Sequence, residues 1–146
     1  MTSMQPASPA ADPRQSFDDP LLDGLLILCK LHGCTVTRSG LTAGLPLAQQ
    51  RLSPDLLPRA AARTGLQARV LRRELGAISA LNLPVLLLLK EGRCAVLRRF
   101  GDDGRLLILP SEAEGGEQWV SREELNQAYS GEALFARPRH ELEDLR

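Results

Sequence analysis

Three short apolar runs, each closed by a turn, lie between Pro84 and Pro110 and predict an antiparallel meander. The first run, Pro84 to Leu89, is too short for an independent helix and is flanked by Pro and Gly, which favours a buried strand. A second strand is predicted from Cys94 to Phe100, and Gly-Asp-Asp-Gly at 101–104 is typical of a hairpin turn. Arg105 to Leu109 forms the predicted third strand, which Pro110 ends. We expect this meander to present one apolar face, which the rest of the chain covers.

A central helix is predicted from Leu21 to His32, because this segment is apolar almost all round. Asp19 is a suitable N-cap, Pro20 suits the first helical position, and Gly33 favours a left-handed stop. Gly24 costs a helix about 1 kcal/mol relative to Ala. Its presence therefore predicts close packing of the helix against another backbone.

The remaining pattern predicts further short elements, and together they indicate an α+β fold with N-terminal helices packed on an antiparallel sheet. Helical segments are predicted at 39–44, 53–64, 74–80 and, after the capping box Ser121-Arg122-Glu123-Glu124, up to Tyr129; strands are predicted at 66–71, 118–120 and 131–136. Residues 1–17 carry Pro, Ala and Ser without periodicity and predict a disordered tail. We therefore expect one domain at 18–137 and a charged linker at 138–146.

Composition excludes several function classes. The 146 residues include 18 basic and 18 acidic ones, and only 3% are aromatic, so nothing favours nucleic acid as a partner. No apolar run reaches the roughly 18 residues that span a bilayer, and the N-terminus lacks a signal-peptide pattern. These features predict a soluble, cytosolic domain.

The cysteines and histidines do not favour a metal site. Cys29-x-x-His32-x-Cys34 is the only close cluster, while Cys94 and His140 stand apart. Structural zinc sites need closely spaced thiol and imidazole ligands, usually including a CxxC pair. We interpret Cys29 as a buried helix residue and Cys34 as an incidental residue beyond the helix end, and we predict no metal or cofactor in this domain.

The order and spacing of five segments resemble a known family over residues 18–137. These segments are DDPLLDGLLILCKLHG (18–33), LPRAAARTGLQARVLR (57–72), LNLPVLLLLKEGRCAVL (81–97), GRLLILP (104–110) and WVSREELNQAYSG (119–131). Together they are similar to the papain-like peptidase domain at the N-terminus of bacterial ABC exporters that process bacteriocin leader peptides. The resemblance implies a papain-like cysteine peptidase fold.

The same resemblance implies three catalytic positions, and none of them carries a catalytic side chain here. A nucleophilic thiol needs a nearby imidazole, and the imidazole needs a carboxylate that orients it. The family's Cys, His and Asp positions fall on Pro20, Cys94 and Pro110. Gln15 lies near the position of the family's oxyanion-stabilising Gln.

A shift of one residue at each position does not restore the triad, because the neighbours are Asp19, Leu21, Arg93, Ala95 and Leu109. The chain thus resembles the degenerate, catalytically inactive domain of type I secretion ABC transporters, in particular exporters of haemolysins and repeat-containing (RTX) adhesins. That resemblance implies a cytosolic appendage at the inner membrane, joined to transmembrane and ATPase domains that use ATP. It also implies recruitment of an unfolded protein substrate for export.

Two other functions stay open. The domain could brace or regulate the transporter or its ATPase without touching the substrate. It could also retain peptidase activity with Cys94 as a relocated nucleophile, although no base lies near Cys94 in the sequence.

Three sets of residues are candidates for substrate docking. Pro20, Leu88, Cys94 and Pro110 could form an apolar groove, or could fill the vacated site as core. Trp119 could be an interface anchor or a core residue. A third set could form a basic surface for an acidic substrate, or merely a solvated strand face: Arg69, Arg72, Arg73, Arg98 and Arg99.

Overall fold

The computed structural model describes residues 19–47, 51–111 and 116–138. The predicted tail at 1–17, most of the predicted linker, Gln15 and His140 lie outside these residues. The helices are α1 (Pro20–Leu31), α2 (Arg38–Thr42), α3 (Leu57–Ala62) and α4 (Arg122–Ala128). The strands are β1 (Leu66–Arg72), β2 (Val85–Leu89), β3 (Cys94–Phe100), β4 (Leu106–Pro110), β5 (Gln118–Val120) and β6 (Tyr129–Pro138).

All six strands form one antiparallel sheet with the order β1-β6-β2-β3-β4-β5. The meander predicted from the sequence is confirmed, since β2, β3, β4 and β5 are neighbours in chain order. The last strand, β6, returns to lie between β1 and β2 and pairs Leu134 with both Val70 and Leu86. The first and the last strand of the chain are thereby neighbours in the sheet.

The central strands are buried on both faces, so the expectation of one covered face was wrong. Leu86, Leu88 and Val96 belong to a core shared with α1 and α3. Val85 and Leu87, which alternate with them, belong to a second core under α4 and the 75–78 segment. Burial on both faces explains the unbroken apolar sequence of β2, because a strand covered on both sides has no polar face.

Helix α1 has the ends that the sequence predicts. Asp19 Oδ1 accepts a hydrogen bond from the Leu22 amide, Pro20 occupies the first turn, and Gly33 follows with φ +80°. The predicted close packing at Gly24 is present, but its partners are side chains rather than a backbone. A Cβ at Gly24 would lie 2.5 Å from Cys94 Sγ and 2.8 Å from Leu86 Cδ1.

Element boundaries differ from prediction where short turns compete with regular structure. The segment predicted as helical at 74–80 contains single 3-10 turns at Leu75–Ala77 and Ala80–Asn82. The helix predicted from residue 53 begins as a 3-10 turn, Pro54–Leu56. Strand β6 is longer than predicted and includes Pro138, the first residue of the predicted linker. The capping box of Ser121 and Glu124 is formed as predicted.

Candidate functional site

The start of α1 and the start of β3 meet directly. The Cys94 thiol donates to the Pro20 carbonyl oxygen at 2.9 Å, although the two residues are 74 positions apart. Cys94 is fully buried, and its sulfur occupies the space that a side chain at Gly24 would need. Two of the three predicted catalytic positions are therefore neighbours, and the space between them is filled by core.

The third predicted position, Pro110, does not share a face of the sheet with Cys94. Leu109 belongs to the same core as Cys94, on the face of the sheet that α1 covers. Pro110 pairs with Ala95, which belongs to the core on the opposite face, as does Ile108. Because strand side chains alternate, Pro110 faces away from α1, and Leu109 stands beside the Pro20 and Cys94 positions.

Among the described residues, no imidazole lies at this junction. His32 caps the opposite end of the 12-residue α1, about 18 Å along the helix axis at 1.5 Å per residue. The Asp19 carboxylate is buried and accepts hydrogen bonds from the amides of Leu22 and, at 2.7 Å, Leu52. Desolvation raises the pKa of Asp19. Asp19 thus ties the 51–54 segment to α1.

A cleft of about 390 Å³ opens beside the buried junction. It lies between the start of α1, the 51–54 segment and the end of β2. Its apolar lining includes Pro20, Leu88, Leu89 and Pro54, and Asp19, Arg51, Arg93 and Glu132 supply charged groups of both signs. An apolar floor with a polar rim of mixed charge suits an extended peptide segment more than a small charged molecule.

The structure brings together only part of the predicted docking set. Pro20 and Leu88 line the cleft, whereas Cys94 is buried beneath them and Pro110 lies on the other face. Trp119 lies in β5 at the far edge of the sheet, 43% exposed, and its ring covers Gly101. The predicted groove of Pro20, Leu88, Cys94 and Pro110 is therefore not one continuous surface.

The five arginines predicted to form one basic surface lie in two groups. Arg69, Arg72 and Arg73 are on or directly after the edge strand β1, whereas Arg98 and Arg99 are on β3, which is separated from β1 by the two strands β6 and β2. Arg72 pairs with Glu132 at 3.7 Å, and Arg98 pairs with Glu117. The five arginines therefore do not form a single surface.

Cys29 and Cys34 lie where the sequence interpretation places them. Cys29 is fully buried, and burial raises the pKa of its thiol to about 11. Cys34 is partly exposed beyond the end of α1, and its sulfur lies 3.6 Å from the Thr64 carbonyl oxygen. Among the described residues, no group of three His, Cys, Asp or Glu side chains is placed to hold a metal ion.

Comparison with protein-family models identifies the family of this chain. The model of the peptidase C39 family matches residues 15–141. The chain belongs to the peptidase C39 family. The C39 domain is also 34% identical to the N-terminal peptidase C39-like domain of the toxin secretion ATP-binding protein from Vibrio parahaemolyticus. The match covers 83% of this chain and 98% of that one, with a TM-score of 0.79.

Two more distant structures share the fold of the C39 domain. A double glycine motif protease from an AMS/PCAT transporter, solved with its leader peptide, is 16% identical over 94% of this chain and 91% of that one, with a TM-score of 0.67. The peptidase domain of Streptococcus ComA, a bifunctional ABC transporter, is 16% identical over 82% and 91%, with the same TM-score. The predicted fold, helices on an antiparallel sheet in a papain-like arrangement, is confirmed. No match to a curated protein was found.

Sequence reasoning missed the rim of the cleft. Arg51, Arg93 and Glu132 come from three separate parts of the chain, and no motif links them. Only Arg93 carried a signal, since it directly precedes the Cys94 position. None of the helices in the described ranges is long and apolar enough to cross a membrane.

Proposed function

We propose that this C39 domain has no peptidase activity and docks an unfolded segment of an exported protein in the cleft beside Pro20 and Leu88. In this proposal it is the cytosolic domain of a type I secretion ABC exporter at the bacterial inner membrane. Its cargo is a toxin or adhesin of the RTX class. The 34% identical domain of a toxin secretion ATP-binding protein supports this assignment.

The observation that supports the proposed loss of activity is the chemistry of the three positions that the resemblance assigns to catalysis. These are Pro20, Cys94 and Pro110, with Leu109 in place of Pro110 on the face that α1 covers, and the Cys94 thiol uses its proton in a hydrogen bond to a backbone carbonyl. A peptidase of this class needs a thiolate, an imidazole within hydrogen-bond reach and an orienting group. The side chains of Pro20, Leu109 and Pro110 can neither accept nor donate a proton.

The cleft supports docking of an extended segment rather than a folded partner. Its volume of about 390 Å³ holds a few side chains, and most of its floor is apolar. An exporter domain must also release its cargo to the translocation path. We therefore expect micromolar or weaker affinity, about −8 kcal/mol or less favourable, with tethering at the membrane raising the local concentration of substrate.

A titration followed by amide chemical shifts tests the docking site. The probe is a synthetic peptide of consecutive Gly-Gly-x-Gly-x-Asp repeats, kept unfolded with EDTA because such repeats bind Ca²⁺. We expect shifts around Pro20, Leu88 and Leu89. Pro54→Asp, at the exposed cleft rim, should weaken binding at least fivefold, since about 1 kcal/mol corresponds to that factor. Pro46→Asp, an exposed loop proline that does not line the cleft, is the matched control and should bind as the wild type does.

The absence of shifts at millimolar peptide would favour the bracing function over docking. A separate incubation with double-glycine leader peptides, followed by mass spectrometry, tests the chemistry. We expect intact peptide. Cleavage that Cys94→Ala abolishes would overturn the proposed loss of activity.

A further inference from the structure

A second and larger cleft, of about 690 Å³, lies along the edge strand β1. It is formed by β1, the end of β6 and the 81–84 segment. Arg69, Arg73 and Arg137 line it together with Phe135 and Leu81. We call it the basic cleft. It shares no lining residue with the cleft beside Pro20.

The charge of the basic cleft is positive and uncompensated within the described residues. None of the described residues that line it is Asp or Glu. Arg69 and Arg137 are exposed, and neither has an ion pair in the described part of the chain. Arginine presents a planar fork of donors that matches carboxylates. The cleft therefore favours a ligand with several carboxylate groups.

The spacing of these arginines follows an extended strand. Arg137 stands opposite Gln67 in the β1–β6 register, so Arg137, Arg69 and Arg73 mark positions 67, 69 and 73 along β1. At about 3.3 Å per residue, this row is about 20 Å long. Acidic side chains at positions i, i+2 and i+6 of an extended peptide have the same spacing, because alternate side chains share one face.

The basic cleft also contains apolar side chains, and hydrogen bonds hold the backbone beside it. The Arg73 guanidinium lies 6.0 Å from the centre of the Phe135 ring, and Leu81 is 94% exposed. The backbone of Arg73 is fixed at both polar groups. Its amide donates to the Gly131 carbonyl oxygen at 2.9 Å, and its own carbonyl oxygen accepts from the Tyr129 hydroxyl at 2.6 Å. A fixed backbone lowers the ordering cost of binding.

We propose that the basic cleft is a second peptide site, which binds an extended acidic segment with an apolar side chain beside Phe135 and Leu81. A membrane surface is the weaker candidate, since the arginines line a concave strand face rather than a protruding tip. The assignment of this peptide to an exported protein rests on the proposed function, whereas the existence of the binding site does not.

Synthetic peptides test the site directly. The probe is a 12-residue extended peptide with Glu at i, i+2 and i+6 and one Leu. Its controls are a peptide with Gln in place of Glu and one with the same composition in permuted order. We expect amide shifts at Arg69, Arg73 and Phe135 with the Glu peptide, weaker binding of the permuted peptide, and none with the Gln peptide. Binding should weaken at least tenfold at high salt, because the Debye length falls from about 10 Å at 0.1 M to about 3 Å at 1 M.

Charge-matched variants separate the local site from net charge. Replacing Arg69, Arg73 and Arg137 together by Gln should weaken binding about eightfold or more, because each exposed ion pair contributes a factor of about two to five. The control replaces three other exposed arginines by Gln, namely Arg59, Arg99 and Arg122, and should keep wild-type affinity within twofold. Circular dichroism checks that both triple variants are folded. If the Arg69, Arg73 and Arg137 variant does not fold, the single Arg69→Gln variant replaces it in the binding test.

Two results would overturn this proposal. One is equal weakening by both triple variants, which would mean attraction by net charge alone. The other is arginine-dependent binding to phosphatidylserine vesicles without binding to the Glu peptide, which would assign the cleft to a membrane surface. Binding of the Glu peptide at the basic cleft with no binding of the repeat peptide beside Pro20 would uphold this site and refute the proposed docking site.

Discussion

The packing of α1 on β3 makes a sharp prediction for Gly24→Ala. The new methyl group would lie 2.5 Å from Cys94 Sγ and 2.8 Å from Leu86 Cδ1. Heavy-atom contacts between apolar groups are optimal at about 3.5–4.0 Å, so the sulfur, the leucine or the helix must move. The sulfur is held by its hydrogen bond to the Pro20 carbonyl oxygen, and Cys94 is fully buried.

Two opposing effects decide the free energy of unfolding of this variant. Replacing Gly by Ala inside a helix stabilises by about 1 kcal/mol when nothing obstructs the methyl group. Overpacking a well-filled core costs about 1–3 kcal/mol, and with two contacts below 3 Å the upper half of that range applies. The net expectation is destabilisation by about 1–2 kcal/mol.

A double-mutant cycle with Cys94→Ala identifies the cause. That substitution alone should cost about 1 kcal/mol, as other losses of one buried heavy atom do. It also vacates the space that the Gly24→Ala methyl group needs, so the double variant should be less destabilised than the sum of the single variants by about 1 kcal/mol.

The assay is urea denaturation followed by Trp119 fluorescence and circular dichroism. Gly76→Ala is the control, because Gly76 is exposed, has no positive φ, and would place its Cβ no closer than 3.9 Å from Arg122 Nη1. It should change stability by no more than about 0.5 kcal/mol. Stabilisation by Gly24→Ala, or strict additivity with Cys94→Ala, would refute the filled junction.

Three further predictions follow from buried polar groups. Asp19→Asn should cost about 1–3 kcal/mol, because the Leu52 amide then loses its carboxylate acceptor. Since burial raises the pKa of Asp19, the folded wild type binds a proton before the unfolded chain does. The wild type should therefore become more stable relative to the Asn variant as the pH falls through the raised pKa of Asp19 towards 3.8. Urea denaturation at several pH values measures this difference in the free energy of unfolding, and a difference that shrinks as the pH falls would contradict the prediction. Iodoacetamide under native conditions should modify Cys34, which is partly exposed, and leave the buried Cys94 intact until urea unfolds the chain, as mass spectrometry can check. Tyr129→Phe should cost about 1 kcal/mol by loss of its hydroxyl hydrogen bond, and absorbance titration at alkaline pH should place the wild-type phenol pKa at about 12 rather than 10.

Local sequence signals were sufficient where the cause of a structure is itself local. The ends of α1 follow from Asp19, Pro20 and Gly33, whose side chains or φ values act within one turn. The capping box at Ser121 and the turn at 101–104 are of the same kind. The apolar runs bounded by turns likewise located the meander strands to within one residue.

Long-range pairing could not be predicted in the same way. The placement of β6 between β1 and β2 depends on shape and burial across the whole sheet. For the same reason, the sequence could not tell that Leu109 rather than Pro110 shares a face with Cys94. A shift of one residue exchanges the two faces of a strand, and only the assembled sheet defines which face α1 covers.

The sequence by itself determined which chemical groups are present, and it placed no imidazole and no carboxylate at the predicted catalytic positions. Only the tertiary structure decided that the thiol of Cys94 is sealed under Gly24 and that an apolar cleft opens beside it. It likewise divided the predicted arginine surface, and it placed Arg69 and Arg73 with Arg137 in a separate cleft. The sequence specifies each side chain directly, whereas a cavity forms only between segments that folding brings together from distant parts of the chain.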